Sequence, residues 1–142
     1  MKTGLYIHLP FCKQKCNYCD FASFAGRESL IPAYLNAVDK EAAAAPVKIC
    51  ETLYVGGGTP SLLSAEELGN LCELIRRHFG AVSAFEESTL ETNPESLTPE
   101  KIRVLKDAGF NRLSVGLQSF NDEELKTLGR VHSARDFLAA YN

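Results

Sequence analysis

Cys12, Cys16 and Cys19 fall within eight residues, in the segment FCKQKCNYCDF, spaced C-x3-C-x2-C. Thiolates are metal ligands and redox groups, so three in one short loop point to one of those chemistries. A structural zinc ion normally takes four protein ligands. The loop offers three; His8, four residues ahead of Cys12, is the nearest further donor and lies back in a strand. A redox C-x2-C pair formed by Cys16 and Cys19 leaves Cys12 without a role. An iron–sulfur cluster uses all three, because thiolates hold such clusters and short loops supply several at once. Three thiolates on a [4Fe–4S] cube leave one iron open, where a substrate or cosubstrate can bind and receive an electron.

The rest of the chain fits that setting. It has 142 residues, 45% hydrophobic, with a formal net charge of −3, enough for one domain with a core. No basic excess suggests a nucleic-acid partner, and no apolar run is long enough to span a bilayer. The N-terminus MKTGLYIHLPF lacks the longer apolar core and cleavage site of a secretory signal. The cytosol is therefore the expected compartment, where an odd, clustered set of five cysteines does not read as a disulfide framework. Cys72 is in phase with Leu68, Leu71, Ile75 and Phe79 and reads as a buried small hydrophobe, as does Cys50.

Strand and helix patterns alternate along the chain. Strands are expected at 4–9, 52–56, 87–93 and 112–118. The first puts Leu5, Ile7 and Leu9 on one face, Tyr6 and His8 on the other. Helices follow each. Ser29 is the expected cap of the first, with Pro32 in its first turn and Pro46 as a stop. Ser64 and Glu67 form a capping box for the second, which runs to Phe79 before Gly80. Thr98 and Pro99 open the third, which ends at Gly109. Asn121 and Ser133 open two more. The pattern is that of a parallel sheet with outer helices. The polar and Gly-rich residues cluster at or just after strand ends: the cysteine loop, Gly56 to Thr59, Glu91 and Asn93, then Gln118. Those ends share one rim in a parallel α/β fold, where ligands bind. Ser114, Gly116 and Gln118 leave room opposite Leu113, Val115 and Leu117, which suits a ligand-holding barrel. Four strands do not close a barrel, so the chain reads as a part of one. His8 reads as a hydrogen-bonded structural histidine, and His78 as a favourable contact with its helix dipole.

The segment YIHLPFCKQKCNYCDF resembles the cluster loop of the radical S-adenosylmethionine (SAM) superfamily. Its YIHxPFC lead-in is similar to the branch containing oxygen-independent coproporphyrinogen III oxidase. The resemblance implies a partial (β/α)6, TIM-like barrel, with residues 1–142 as the N-terminal portion of its core domain. It implies a [4Fe–4S] cluster on Cys12, Cys16 and Cys19, whose fourth iron is chelated by SAM. Electron transfer to SAM then gives a 5′-deoxyadenosyl radical. GGGTP, Gly56 to Pro60, resembles the motif that contacts the methionyl amino group, which implicates Gly57, Gly58 and Thr59. Independently, glycines there let backbone N–H groups approach a ligand. Glu91 in LETNP matches the acid that binds the SAM ribose. Gln118 and Arg130, the latter in LGRVHS, match SAM-site residues, and Tyr6 and Tyr18 match SAM-proximal aromatics.

The loop departs from the oxidase at one position. The oxidase has C-x3-C-x2-C-x-C, whereas Phe21 stands two residues after Cys19 here. The CDF ending resembles instead the oxidase-like relatives that act as haem chaperones. That implies haem as cargo, haem-accepting respiratory-chain proteins as partners, and a flavodoxin- or ferredoxin-like electron donor. The alternatives are coproporphyrinogen III oxidation by SAM radical chemistry, and a zinc-stabilised α/β module.

Overall fold

The computed structural model describes residues 3–142. Four parallel strands form the main sheet: β1 (Gly4–Leu9), β4 (Thr52–Gly57), β5 (Glu87–Thr92) and β6 (Arg112–Val115), hydrogen-bonded in that order. A separate two-residue parallel ladder joins β2 (Phe11–Cys12) to β3 (Phe24–Ala25). Sequence order and spatial order coincide across the main sheet. A doubly wound sheet reverses order at a switch point, whereas a barrel adds each strand on the same side.

The helices are α1 (Ile31–Ala44), α2 (Ala65–Phe79), α3 (Pro99–Ala108), α4 (Asp122–Thr127) and α5 (Ala134–Tyr141). Four of them start as the sequence predicts. Ser64 accepts from the Glu67 amide while Glu67 reaches back, completing the capping box of α2. Thr98 caps α3, Asn121 caps α4 and Ser133 caps α5. Gly109 closes α3 in the left-handed conformation.

The start of α1 differs. Ser29 does not cap it; residues Glu28–Leu30 form a 3-10 turn that runs straight into the helix. Leu30 already has near-helical angles, so no extended residue remains from which a side chain could cap. His78 pairs with Asp39 of α1 at 2.8 Å, rather than serving only its own helix dipole. Arg77 reaches the same carboxylate at 3.1 Å, joining α2 to α1.

Period-two alternation in the strands divides the sheet into two faces. Ile7, Leu9, Leu53, Val55 and Leu90 pack against Leu35, Leu68, Leu71, Ile75 and Leu105 from the helices. Burying each such side chain contributes about 1.5–3 kcal/mol. The opposite face carries Tyr6, paired in register with Tyr54, then Thr89, then Arg112. Beyond that row the strand ends open into a cleft. Cys72 is half-buried rather than fully enclosed; burial still pushes its thiol up to about 11.

Candidate functional site

A cleft of about 310 Å³ lies at the carboxyl ends of β1, β4, β5 and β6. It collects ten of the eleven residues that the sequence nominates. Cys12, Cys16, Cys19 and Tyr18 come from the loop after β1, and Gly57, Gly58 and Thr59 from the end of β4. Glu91 comes from β5, while Gln118 and Arg130 follow β6. Tyr6 is the exception. It lies one row down the sheet, 56% exposed, and lines a different cavity.

The cysteine loop is tied down at both ends. Its base is the ladder of Phe11–Cys12 with Phe24–Ala25, reinforced by the Phe24 amide donating to the Pro10 carbonyl at 2.7 Å. Its crown is bonded to the turn after α4. The Asn17 amide donates to Leu128 at 3.0 Å, its side chain to Thr127 at 2.9 Å, and Gln14 to the Gly129 carbonyl at 3.1 Å. Thr59 points its hydroxyl at Cys12 Sγ, 3.7 Å away, and Arg130 points a guanidinium nitrogen at Cys16 Sγ, 3.4 Å away. The three thiols share the cleft without closing on one point. Among the described residues, no three His, Cys, Asp or Glu side chains are grouped so as to hold a single metal ion. A tetrahedral zinc site requires such convergence.

The glycine turn is used differently from its sequence expectation. Its N–H groups are not free for a ligand: Gly57 donates to Glu91 at 2.9 Å, Gly58 to Leu9 at 2.8 Å, and Thr59 to Phe11 at 2.7 Å. The turn instead packs against the cysteine loop. A Cβ on Gly58 would stand 2.5 Å from the Phe11 carbonyl oxygen and 2.9 Å from Cys12 Sγ. Gly57 has φ +118°, which disfavours a side chain there too.

Glu91 is half-buried and doubly held. Tyr54 donates its phenol to Oε1 at 2.6 Å, and the Gly57 amide donates to Oε2 at 2.9 Å. The Glu91 hydrogen bond, with burial behind it, pushes the Tyr54 phenol up to about 12. The neutral, protonated phenol is therefore the form that folding favours. Its contribution is complete below the ordinary value of 10.0 and is lost as pH rises through about 12. We expect thermal stability to fall across that alkaline window, and to fall less steeply in Tyr54→Phe. Identical alkaline profiles would contradict this account. His8 is hydrogen-bonded on both ring nitrogens, as expected of a structural histidine. Nε2–H donates to the Ala22 carbonyl at 2.8 Å, which leaves Nδ1 to accept from the Tyr6 hydroxyl at 2.9 Å.

Arg130 crosses the far wall. One terminal nitrogen donates to Asn93 Oδ1 at 2.7 Å and to the Gly116 carbonyl at 2.8 Å. Its Nε is buried with no hydrogen-bond partner among the described residues, and so is the hydroxyl of Ser23, a residue that also lines the cleft. Tyr18 stands beside Arg130; burial raises its phenol, and the Arg130 charge opposes that rise. β6 ends at Val115, three residues short of its predicted end. Gln118 therefore lies beyond the strand, at φ +70°, in a γ-turn where Ser119 donates to the Leu117 carbonyl at 3.0 Å. A non-glycine residue held in that strained region is a feature of ligand clamps. His132, without an assigned role from sequence, is buried behind Arg130, facing Glu95 at 3.3 Å and Leu117 at 3.0 Å.

Sequence reading missed Tyr54 and Ser23, and it placed Asn93 at the rim without a partner. Tyr54 has a legible signal, since it shares strand parity with Gly56 and so faces away from the core. Asn93 bridges Thr59 and Arg130, a role visible only once β4, β5 and the 130 turn are brought together.

A parallel sheet wound in one direction, with thiols and polar groups gathered at its carboxyl rim, defines a barrel-type α/β protein with a ligand cleft. Residues 6–142 match the model of the Radical SAM superfamily, and the chain belongs to that superfamily. It is 40% identical to the heme chaperone HemW of Bacillus subtilis (strain 168), over 99% of this chain and 38% of that protein. It is 39% identical to heme chaperone HemW of Escherichia coli (strain K12), over 94% of this chain and 36% of that protein. The solved structure of coproporphyrinogen III oxidase (HemN) from Escherichia coli, a radical SAM enzyme, superposes with a TM-score of 0.87 at 29% identity. That match covers 98% of this chain and 33% of the oxidase. The fold is thus the N-terminal part of a radical SAM barrel, and the chain spans little more than a third of the length of these relatives.

Proposed function

We propose that this chain is the N-terminal portion, residues 1–142, of a radical SAM core domain that binds a [4Fe–4S] cluster and SAM in a cytoplasmic haem chaperone. One observation carries the cofactor reading: three thiols, a carboxylate and a guanidinium from separate segments line one cleft. The residues fit the group. Three thiols line the cleft, the Gly58 turn lies against Cys12, and two cleft-lining residues each carry a buried polar atom, Arg130 Nε and Ser23 Oγ, with no hydrogen-bond partner among the described residues. Buried polar groups are otherwise almost always hydrogen-bonded, so these two favour a polar occupant.

When bound, such a cluster supplies single electrons and one iron with an open coordination position. Cys12, Cys16 and Cys19 would hold it. Glu91 would accept hydrogen bonds from ribose hydroxyls. Arg130, whose Nη2 is engaged by Asn93 and Gly116, would offer a carboxylate its charge and the Nη1 beside Cys16. Gly57, Gly58 and Thr59 would border the methionyl end, with Gln118 and Tyr18 enclosing the remainder. Tyr6, outside the cleft, would act only through its neighbours.

The chaperone reading is supported by Phe21, which lines the cleft where the oxidase motif carries a further cysteine, and by the HemW relatives. Its cargo would be haem, its acceptors respiratory haem proteins, and its electron donor flavodoxin- or ferredoxin-like. The resemblance to the oxidase structure keeps coproporphyrinogen III turnover as the competing activity. The test is anaerobic reconstitution of the protein that carries this chain, followed by iron, SAM and haem titrations and a coproporphyrinogen III assay. A brown protein that binds SAM and takes up haem without turnover is expected. Turnover without stable haem uptake would identify an oxidase, and a colourless zinc protein would remove the cluster reading.

A further inference from the structure

Two rows of side chains on the cleft-side face of the sheet bear on Glu91. Tyr6 and Tyr54 pair in register in the lower row, and His8 pairs with Gly56 in the row above. Glu91 sits on β5 beyond Thr89, the register partner of Tyr54. Tyrosine and glutamate in different rows meet only if the position between them is empty, and Gly56 is that position. A Cβ there would lie 2.7 Å from Tyr54 Cε1 and 2.8 Å from Glu91 Oε2. Through this gap the Tyr54 phenol reaches Oε1 at 2.6 Å.

A carboxylate has about four acceptor positions, two on each oxygen. Tyr54 occupies one on Oε1 and the Gly57 amide one on Oε2. One acceptor position on each oxygen is left, a pair matched to two adjacent hydroxyls. The two donors also fix the plane of the carboxylate, so those positions are oriented before any ligand arrives. Tyr54 is itself braced: its ring stacks on Tyr6 with centroids 6.0 Å apart. The Tyr6 hydroxyl donates to His8, which donates to the carbonyl of Ala22 at the end of the cysteine loop.

We propose that Tyr54 is a positioning residue that orients Glu91 to receive the vicinal diol of a nucleoside. The inference rests on the reading of Glu91 as the ribose seat. It assigns to Tyr6 and His8 the task of bracing Tyr54 rather than of touching the ligand.

The test is calorimetric titration of the reconstituted protein with S-adenosylhomocysteine and with its 2′,3′-dideoxy analogue. Tyr54→Phe keeps the stacked ring and removes one oxygen. It is expected to weaken S-adenosylhomocysteine binding by about tenfold to 150-fold, the scale of one hydrogen bond to a charged group. The dideoxy analogue should bind the variant as it binds the wild type. Glu91→Gln should erase the preference for the diol altogether. Unchanged affinities in Tyr54→Phe, or equal losses for both ligands, would overturn the role of Tyr54 while leaving Glu91 as the seat. A Glu91→Gln variant that keeps the preference would remove the seat itself, and the inference with it.

Discussion

Cys16→Ala is expected to reduce the iron content of the reconstituted protein to background and to abolish its brown colour. Cys16 lines the cleft and its Sγ accepts from Arg130 Nη1, so its removal takes away one of three thiols and leaves that guanidinium nitrogen without its sulfur. Two thiolates do not retain a cube against solvent and chelators, because each remaining corner must be held by weaker ligands. Cys72→Ala is the matched control. Cys72 sits on α2, and burial lifts its thiol to about 11, so it is mostly protonated near neutral pH and a poor ligand. Its replacement should cost about 1 kcal/mol of packing and leave iron intact. Iron content is to be measured alongside circular dichroism. A Cys16→Ala protein that stays folded and keeps full iron would contradict the ligand assignment, and equal iron loss in both variants would show that iron reports only folding.

Gly58→Ala is expected to destabilise the protein by about 1–3 kcal/mol, the cost of forcing an extra methyl into a packed site. The nearest obstacle is the Phe11 carbonyl oxygen, which belongs to the backbone and cannot swing aside. The next is Cys12 Sγ, so relief of the clash moves the first cysteine of the loop. Iron retention should therefore fall together with stability. Gly69→Ala runs the other way. Gly69 lies inside α2 with nothing within 4 Å of an added Cβ, and alanine there should stabilise by roughly 0.5–1 kcal/mol. Urea denaturation of both variants, with iron assayed in parallel, checks the pair. A Gly58→Ala protein as stable and as iron-loaded as wild type would mean that the turn and the cysteine loop do not press together as described.

Much of the architecture was legible from local patterns. The first three sheet strands, the start of the fourth, the capping box at Ser64, the Thr98, Asn121 and Ser133 caps and the Gly109 stop depend on residues a few positions apart, and each formed where expected to within a residue. The Ser29 cap failed because a 3-10 turn ran into the helix first, a choice made by the chain on either side of it. The last strand stopped early because Gly116 to Ser119 bend away in two consecutive i to i+2 hydrogen bonds, a change of direction that alternation alone does not reveal.

The candidate site divides along the same line. Cysteine spacing, the glycine turn, the acid near the end of the third sheet strand and the polar end of the fourth are short-range features, whereas Tyr18 and Arg130 came to notice only through the family resemblance. Sequence alone could not say what each would touch. The glycine amides turned inward, Tyr6 fell a row too low, and Tyr54 emerged as the partner of Glu91. Those outcomes follow from strand register and from the gap at Gly56, which exist only after β1, β4 and β5 align. A hydrogen bond acts over about 3 Å, while Tyr54 and Glu91 are separated by 37 positions in the chain. Local preference chose the strands, and only their packing decided which side chains came within reach of one another.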